Sequence, residues 1–364
     1  MKDEMESSMA TPAASQRPHR DGGSNHPEWL APYQPRTSAP TACAHVEPRG
    51  LVRGQSPQDG ESRRPSADGS ADGRPGTGLV RLADYWTLTK PEVNFLVLVS
   101  TLVGFYLASR GPLNWLRLFH TLLGTLLVAS GTGTLNQYLE RKTDAFMRRT
   151  AHRPLPAGRL SSAQAFWFGV FLSVAGGAEL WAAANPLTSA LAVLTLGTYL
   201  LFYTPLKKKT PLCTLVGAFP GAMPPLIGWA AVRNSLSPEA WVLYAILFLW
   251  QFPHLLAIAW MYREDYARAG LQMLPGNDRE GRATMRQIIA YLMALVPVSL
   301  IPAFFGQAGH AYLLGAGILG LGFLGYGARL AASRTNAQAK RLLLASIVYL
   351  PLVFALMMVD KTPL

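Results

Sequence analysis

Charged residues and cysteine are both scarce in this sequence of 364 residues. Only 15% of the residues are charged and 50% are hydrophobic, whereas soluble domains carry roughly 25% charged residues. This shortage of charge argues against an ordinary soluble enzyme and favours a membrane protein. The two cysteines, Cys43 and Cys213, are too few for a disulfide scaffold or a cysteine-based zinc cluster.

Long hydrophobic runs are missing from residues 1–79. This segment holds ten prolines and nine glycines among many charged residues. Such a composition cannot bury enough apolar surface to offset the entropy lost on ordering, so it predicts a disordered N-terminal tail. The segment also lacks the apolar stretch of a secretory signal, and the early acids Asp3, Glu4 and Glu6 are not typical of a mitochondrial transit peptide.

Residues 80–364 consist of long apolar runs separated by short polar loops. A helix that crosses the hydrocarbon core needs about 20 mainly apolar residues. Nine runs meet this requirement: 92–109, 114–137, 163–184, 187–204, 212–232, 239–262, 285–304, 310–332 and 341–359. The pattern predicts an all-α polytopic membrane helical bundle of about nine transmembrane helices. The PGAMPP block at 220–225 should break or kink the fifth helix, because proline removes a backbone donor.

Basic residues are concentrated in alternate loops. The loops after the second, fourth, sixth and eighth runs hold most of them, whereas the opposite loops and the C-terminal end hold only Arg110, Arg117, Arg233 and Lys361. Basic loops favour the cytoplasmic side, so the N-terminus and the basic loops are predicted to be cytoplasmic. Topology therefore explains the net charge of +12, and no nucleic-acid partner is expected.

The loop after the second run combines carboxylates with arginines. Asn136, Glu140 and Asp144 are spaced i, i+4, i+8 and would form one oxygen-bearing stripe on a helix. Hard oxygen donors suit Mg²⁺, which prefers a few carboxylates together with phosphate oxygens. Arg149 and Arg153 follow directly, and their guanidinium groups suit phosphate oxygens. The alternative is a solvated helix end, in which these acidic and basic groups neutralise one another.

A second acidic pair, Glu264 and Asp265, follows the sixth run. Two acidic clusters on one face of a bundle could clamp a diphosphate through Mg²⁺ from both sides. The lysine triplet 207–209 lies between them in sequence. For Lys208 and Lys209 the topological role is favoured.

These motifs carry a resemblance to a known family. The loop from Asn136 resembles the NxxxD/ExxxD signature of the UbiA-type intramembrane prenyltransferases, and its longer form NxxxExxxDxxMxRTxxRPLP is similar to the branch that farnesylates protoheme IX. Further blocks of that branch appear in the same order: LTKPEV at 88–93, YTPLKKKT at 203–210, GAFPGAMPPLIGW at 217–229, WQFPHLLAIAW at 250–260 and DYARAGLQMLP at 265–275. Two positions depart from the pattern: Glu140 replaces the Asp of many relatives, and Cys213 stands where the branch often has Asn.

The resemblance implies a reaction and a site. Residues 80–364 would form a transmembrane prenyltransferase domain that transfers farnesyl from farnesyl diphosphate to a vinyl group of heme b and adds water, giving heme O for heme-copper oxidases. The implied catalytic and Mg²⁺-binding residues are Asn136, Glu140, Asp144 and Asp265. The implied diphosphate-binding residues are Lys90, Arg149, Arg153 and Lys207. His254 is implied to contact the heme substrate, including through its iron, although an interior hydrogen-bonded histidine is the alternative.

Other functions and locations compete with this interpretation. A bacterial inner membrane with the active site on the cytoplasmic side is favoured, and a mitochondrial inner membrane is the alternative. A transporter would need intramembrane acids, for which only Glu179 and His254 are candidates. A prenyltransferase with an aromatic quinone-precursor acceptor would share the metal site, and a non-catalytic oxidase assembly partner would not need it. Transfer of heme O by contact with a downstream heme-modifying enzyme or oxidase assembly factors is left open.

Overall fold

The computed structural model describes residues 77–278 and 280–362. Within these residues the chain forms helices and no β-strand. The helices are α1 Thr77–Thr89, α2 Pro91–Ala108, α3 Trp115–Asp144, α4 Ser162–Ala183, α5 Pro186–Thr198, α6 Thr204–Leu206, α7 Cys213–Gly221, α8 Pro224–Arg233, α9 Pro238–Met261, α10 Arg263–Arg268, α11 Leu274–Asn277, α12 Arg282–Phe304, α13 His310–Ser333 and α14 Asn336–Val359. A π-helical segment, Tyr199–Tyr203, joins α5 to α6.

Nine segments in the described part of the chain are long and apolar enough to cross a membrane. They are α2, α3, α4, α5 through α6, α7 with α8, α9, α12, α13 and α14. This confirms the predicted all-α polytopic bundle, and the chain is a multi-pass membrane protein. Two of the predicted spans, 114–137 and 341–359, were too short because their helices continue into polar sequence. Helix α3 extends to Asp144, and α14 already begins at Asn336.

The sequence did not predict α1, which is short and has no continuous apolar run. It rests on the loop after α3, where Arg159 Nε donates to Asp84 Oδ1 at 2.8 Å and Leu88 packs with Leu155 and Leu160. The predicted disordered tail, residues 1–79, lies outside the described residues except for its last three, which begin α1.

The α2–α8 contact shows how closely the spans pack. A Cβ atom at Gly228 of α8 would overlap the carbonyl oxygen of Thr101, and one at Gly104 of α2 would overlap that of Pro225. Backbone therefore meets backbone, as is common where small residues line interfaces between membrane helices.

Two spans are irregular near the middle of the sequence. The predicted break of the fifth span is confirmed: α7 ends at Gly221 and α8 begins at Pro224, because Pro224 and Pro225 have no amide hydrogen to continue the helix. In the fourth span the amide of Thr204 bonds to Tyr199 O five residues back, immediately before Pro205. Such π-helical turns are frequent at functional sites.

The loops 145–161, 207–212 and 262–278 meet at one end of the bundle, which we call the basic face. Gln272 N donates to Lys207 O at 2.7 Å, and the Arg149 guanidinium lies over the Tyr262 ring at 5.4 Å from its centroid. Met147 and Leu271 of two of these loops share a buried apolar cluster with Cys213, the first residue of α7. The chain segments that carry the predicted site residues are therefore neighbours in space.

Candidate active site

The acidic stripe lies on the last two turns of α3, at the basic face. Since α3 remains helical to Asp144, the side chains of Asn136, Glu140 and Asp144 share one face of a single helix. Asn136 and Asp144 are each only 1% exposed. Buried polar groups of this kind need partners, because a charge left unpaired away from water is costly.

Each predicted metal ligand contacts a basic side chain. Lys90 Nζ donates to Asn136 Oδ1 at 3.0 Å, Lys207 Nζ to Glu140 Oε1 at 2.8 Å, and Arg153 Nη1 to Asp144 Oδ2 at 2.8 Å. Three of the four predicted diphosphate-binding residues thus hold the three predicted ligands on α3. The predicted ligands on α3 and these three cations are therefore paired with one another rather than forming two separate groups.

Asn136 uses both ends of its amide. Its Nδ2 donates to Thr204 Oγ1 at 3.2 Å, and the Thr204 hydroxyl donates to Tyr199 O at 2.9 Å. The π-helical segment therefore orients the asparagine through Thr204. Sequence reasoning missed Thr204, although it lies within the YTPLKKKT block.

Lys90 is held at the junction of α1 and α2 in a left-handed conformation, with φ of 54°. Gln137 Nε2 donates to Leu88 O at 3.0 Å, and Asn94 Nδ2 donates to Thr89 O at 2.8 Å. These side-chain bonds fix the two backbone carbonyls that precede Lys90 and so direct Lys90 toward α3. Gln137 was also missed, and its place directly after Asn136 was the available signal.

The local environment tunes the two lysines in opposite directions. Burial, reinforced by the charge of Arg153, lowers the pKa of Lys90 to about 7. Burial acts the same way on Lys207, but Tyr203 and Glu140 outweigh it and hold its pKa well above the usual value. Lys207 Nζ also lies 4.3 Å from the centroid of the Tyr203 ring. The site therefore has a permanently charged lysine beside one whose charge depends on its surroundings.

The second acidic loop lies on α10. Asp265 Oδ1 accepts from Arg268 Nη1 at 3.0 Å, and its side chain is 15% exposed. Its neighbour Glu264 is exposed. Across the described ranges, no three His, Cys, Asp or Glu side chains are grouped so that they could hold a metal ion. The proximity of Asp265 to the α3 carboxylates, as expected for a two-sided clamp, stays a prediction.

The other residues considered in the sequence analysis differ in their exposure and contacts. Lys208 and Lys209 carry no such buried pair, and Lys209 is exposed. His152 is exposed, as expected. Cys213 is buried, its Sγ lies 3.8 Å from Met273 Sδ, and Tyr203 packs against the same apolar cluster. His254, on α9, is partly buried and its Nδ1 lies 2.8 Å from Ser346 Oγ on α14.

In the described part of the chain, a membrane bundle with nine candidate spans buries paired carboxylates and cations at one face, and such intramembrane charges are typical of a functional site. The model of the UbiA prenyltransferase family matches residues 97–351, so the chain belongs to that family and is a prenyltransferase. Among its relatives, the protoheme IX farnesyltransferase of Solibacter usitatus (strain Ellin6076) is 52% identical, over 77% of this chain and 99% of the relative. That of Koribacter versatilis (strain Ellin345) is 45% identical, over 79% and 96%.

Solved structures support the fold. The structure of a digeranylgeranylglyceryl phosphate synthase matches with a TM-score of 0.65 at 17% identity, over 77% of this chain and 98% of the other. A UbiA homolog from Archaeoglobus fulgidus bound to GPP and Mg²⁺ matches with a TM-score of 0.56 at 16% identity, over 75% and 99%. At these identities the likeness shows that the chain has the fold of this family.

Proposed function

We propose that this protein transfers a farnesyl group from farnesyl diphosphate to a vinyl group of protoheme IX and adds water, giving heme O and diphosphate. The observation that carries this proposal is 52% identity to a protoheme IX farnesyltransferase over 99% of that relative. The buried network of Asn136, Glu140 and Asp144 with their basic partners supports it independently, because it suits an anionic leaving group.

The transfer breaks one bond of farnesyl diphosphate and forms two bonds at the vinyl group. The C1–O bond of farnesyl diphosphate breaks and the electron pair leaves with diphosphate. The vinyl terminal carbon bonds to farnesyl C1, and a water oxygen bonds to the inner vinyl carbon with release of one proton. Negative charge grows on the leaving oxygen during the first step, so cations fixed around it accelerate the step.

Lys90, Lys207 and Arg153 supply three such cations. Each of them is held beside a carboxylate or amide oxygen. On binding, the diphosphate oxygens would compete for these donors, and Lys90 would gain its full charge beside the anion. Arg149, which lies over the Tyr262 ring, would contribute a fourth.

The residues fit a Mg²⁺ ion by donor chemistry. Asn136, Glu140, Asp144 and Asp265 offer hard oxygen atoms, and Mg²⁺ bound through one or two carboxylates also takes substrate phosphate oxygens. When bound, the ion would neutralise diphosphate charge and activate the leaving group. The basic side chains that now hold these oxygens would then be released to the phosphates.

His254 would contact the heme substrate, and the break between α7 and α8 would help to shape the porphyrin pocket. The basic face would lie on the cytoplasmic side of a bacterial inner membrane, by the positive-inside rule. Heme O made there would pass to heme-copper oxidases, by diffusion or through a downstream heme-modifying enzyme.

The test uses the purified full-length protein in lipid nanodiscs with labelled farnesyl diphosphate and Mg²⁺. Heme b and an aromatic quinone precursor are offered together as acceptors. The proposal expects label only in a heme product heavier by one farnesyl and one hydroxyl group. Label in the aromatic compound would instead identify the other acceptor class within the same family.

A further inference from the structure

A cluster of three side chains joins α9 to α14 inside the bundle. His254 Nδ1 lies 2.8 Å from Ser346 Oγ, and Trp250 Nε1 donates to Ser346 O at 2.9 Å. Ser346 is completely buried. The Ser346 hydroxyl has a second close neighbour in its own helix, Leu343 O at 2.6 Å.

Counting protons fixes the tautomer of His254. A serine hydroxyl has one hydrogen to donate and can accept through its oxygen lone pairs. At 2.6 Å the Ser346 and Leu343 oxygens are in contact only if that hydrogen lies between them. Ser346 must therefore accept from His254, which places a proton on Nδ1 and leaves Nε2 with its lone pair.

The ring is also fixed in orientation. Trp250 stacks on the imidazole with ring centroids 4.9 Å apart and an interplanar angle of 25°. Nε2 has no hydrogen-bond partner within the described residues, and the side chain is only partly buried. By contrast, His120 is engaged with a carboxylate, Glu179 Oε1, at 2.5 Å from its Nδ1. The ring nitrogen partner of His254 is therefore a neutral hydroxyl, whereas that of His120 is a carboxylate.

We propose that Ser346 is a positioning residue for the heme substrate: it holds His254 as the Nδ1–H tautomer so that Nε2 binds the heme iron. The inference rests on the proposed function, in which heme is the acceptor. Neutral imidazole is a common axial ligand of heme iron. A hydrogen bond from the other ring nitrogen is the usual means of selecting the tautomer and orientation of a metal-binding histidine.

The experiment is a hemin titration of the full-length protein in nanodiscs, followed by absorption spectra in the ferric and ferrous–CO states. The wild type should show imidazole-ligated iron, which His254→Gly loses and added imidazole restores. Ser346→Ala should weaken hemin binding about threefold to tenfold, as expected for loss of one ordinary hydrogen bond. Ser346→Thr keeps the hydroxyl and should bind nearly as the wild type does.

Two controls separate positioning from general packing. Ser100 of α2 is equally buried and its hydroxyl donates only to Leu96 O in its own helix, so Ser100→Ala should leave hemin affinity and spectra unchanged. In a His254→Gly background, Ser346→Ala should have no further effect, because its influence passes through the imidazole.

Three results would overturn the inference. They are an imidazole-ligated spectrum that survives in His254→Gly, unchanged hemin affinity in Ser346→Ala, and an equal effect of Ser346→Ala with and without His254. In each of these cases hemin still binds, so the proposed acceptor stands. A wild type that binds no hemin would overturn both the inference and the proposed acceptor.

Discussion

Lys207 illustrates how one side chain can both neutralise a buried carboxylate and be available to bind substrate. Its ammonium group neutralises Glu140 and lies over the Tyr203 ring. Both contacts are largely shielded from water, so removing the cation would leave a buried carboxylate without a partner. Breaking one member of a buried pair costs about 3–5 kcal/mol. The same cation is among those proposed to bind diphosphate.

The triplet 207–209 therefore offers a matched pair of substitutions. Lys207→Met should lower kcat/KM for farnesyl diphosphate by about 100-fold or more, and it should also lower the thermal unfolding temperature. Lys209 is exposed, so Lys209→Met should change both values little. Steady-state diphosphate release and a thermal unfolding scan in the same detergent measure the two effects. Equal losses in the two variants would mean that only the basic character of the loop matters.

At the residue scale, the sequence predicts the polar and charged site residues better than the residues that hydrogen-bond to them. The spacing of Asn136, Glu140 and Asp144 requires only a helix, so it could be read directly. Thr204 and Ser346 act through contacts between distant spans, 68 and 92 positions from their partners Asn136 and His254. No local pattern marks such contacts, because they depend on how the helices pack.

At the scale of helices, apolar length predicts the spans well and small residues decide how they fit. Each membrane span must be an apolar helix, since its backbone has no water to bond. The short α1 obeys no such constraint, and only its docking by Arg159 and Leu88 reveals it. The α2–α8 contact, by contrast, depends on Gly228. The Thr101 carbonyl oxygen occupies the space that a side chain at this position would need.

Gly228→Ala should therefore separate α2 from α8. Overpacking typically costs about 1–3 kcal/mol, and here the obstacle is backbone that cannot rotate away. Gly325 of α13 is the control, because a Cβ there would meet nothing within 4 Å. Thermal unfolding of both variants in detergent measures the difference. A Gly228→Ala protein as stable as Gly325→Ala would contradict the close α2–α8 approach.

At the scale of the whole molecule, residues 1–79 differ sharply in composition from residues 80–364, which hold all the long apolar runs. The family model begins at residue 97, well inside the described part. However, α1 and Lys90 precede it and connect to the site through Leu88 and Asn136. The functional domain should therefore begin near Thr77 rather than at the first membrane span.

Two truncations test this boundary. Deleting residues 2–76 should leave farnesyl transfer close to the wild-type rate, because the composition of that segment predicts disorder. Deleting residues 2–89 should abolish most activity, since it removes the helix that docks against Arg159 and the backbone that positions Lys90. Rates are compared per amount of folded protein, judged by size-exclusion chromatography. Full activity in the longer deletion would assign α1 no part in the site.

The most direct test of the central account is the mass of the heme pigments in membranes of a heme-producing host that expresses the chain. Asp144→Asn is compared with Asp360→Asn, because Asp144 accepts from Arg153 at 2.8 Å and Asp360 accepts from the Tyr312 amide at 2.7 Å, but only Asp144 belongs to the α3 network. The wild type and Asp360→Asn should yield a heme heavier by one farnesyl and one hydroxyl group, whereas Asp144→Asn should yield none at similar protein levels. Unmodified heme with abundant wild-type protein, or equal product in Asp144→Asn, would contradict the account.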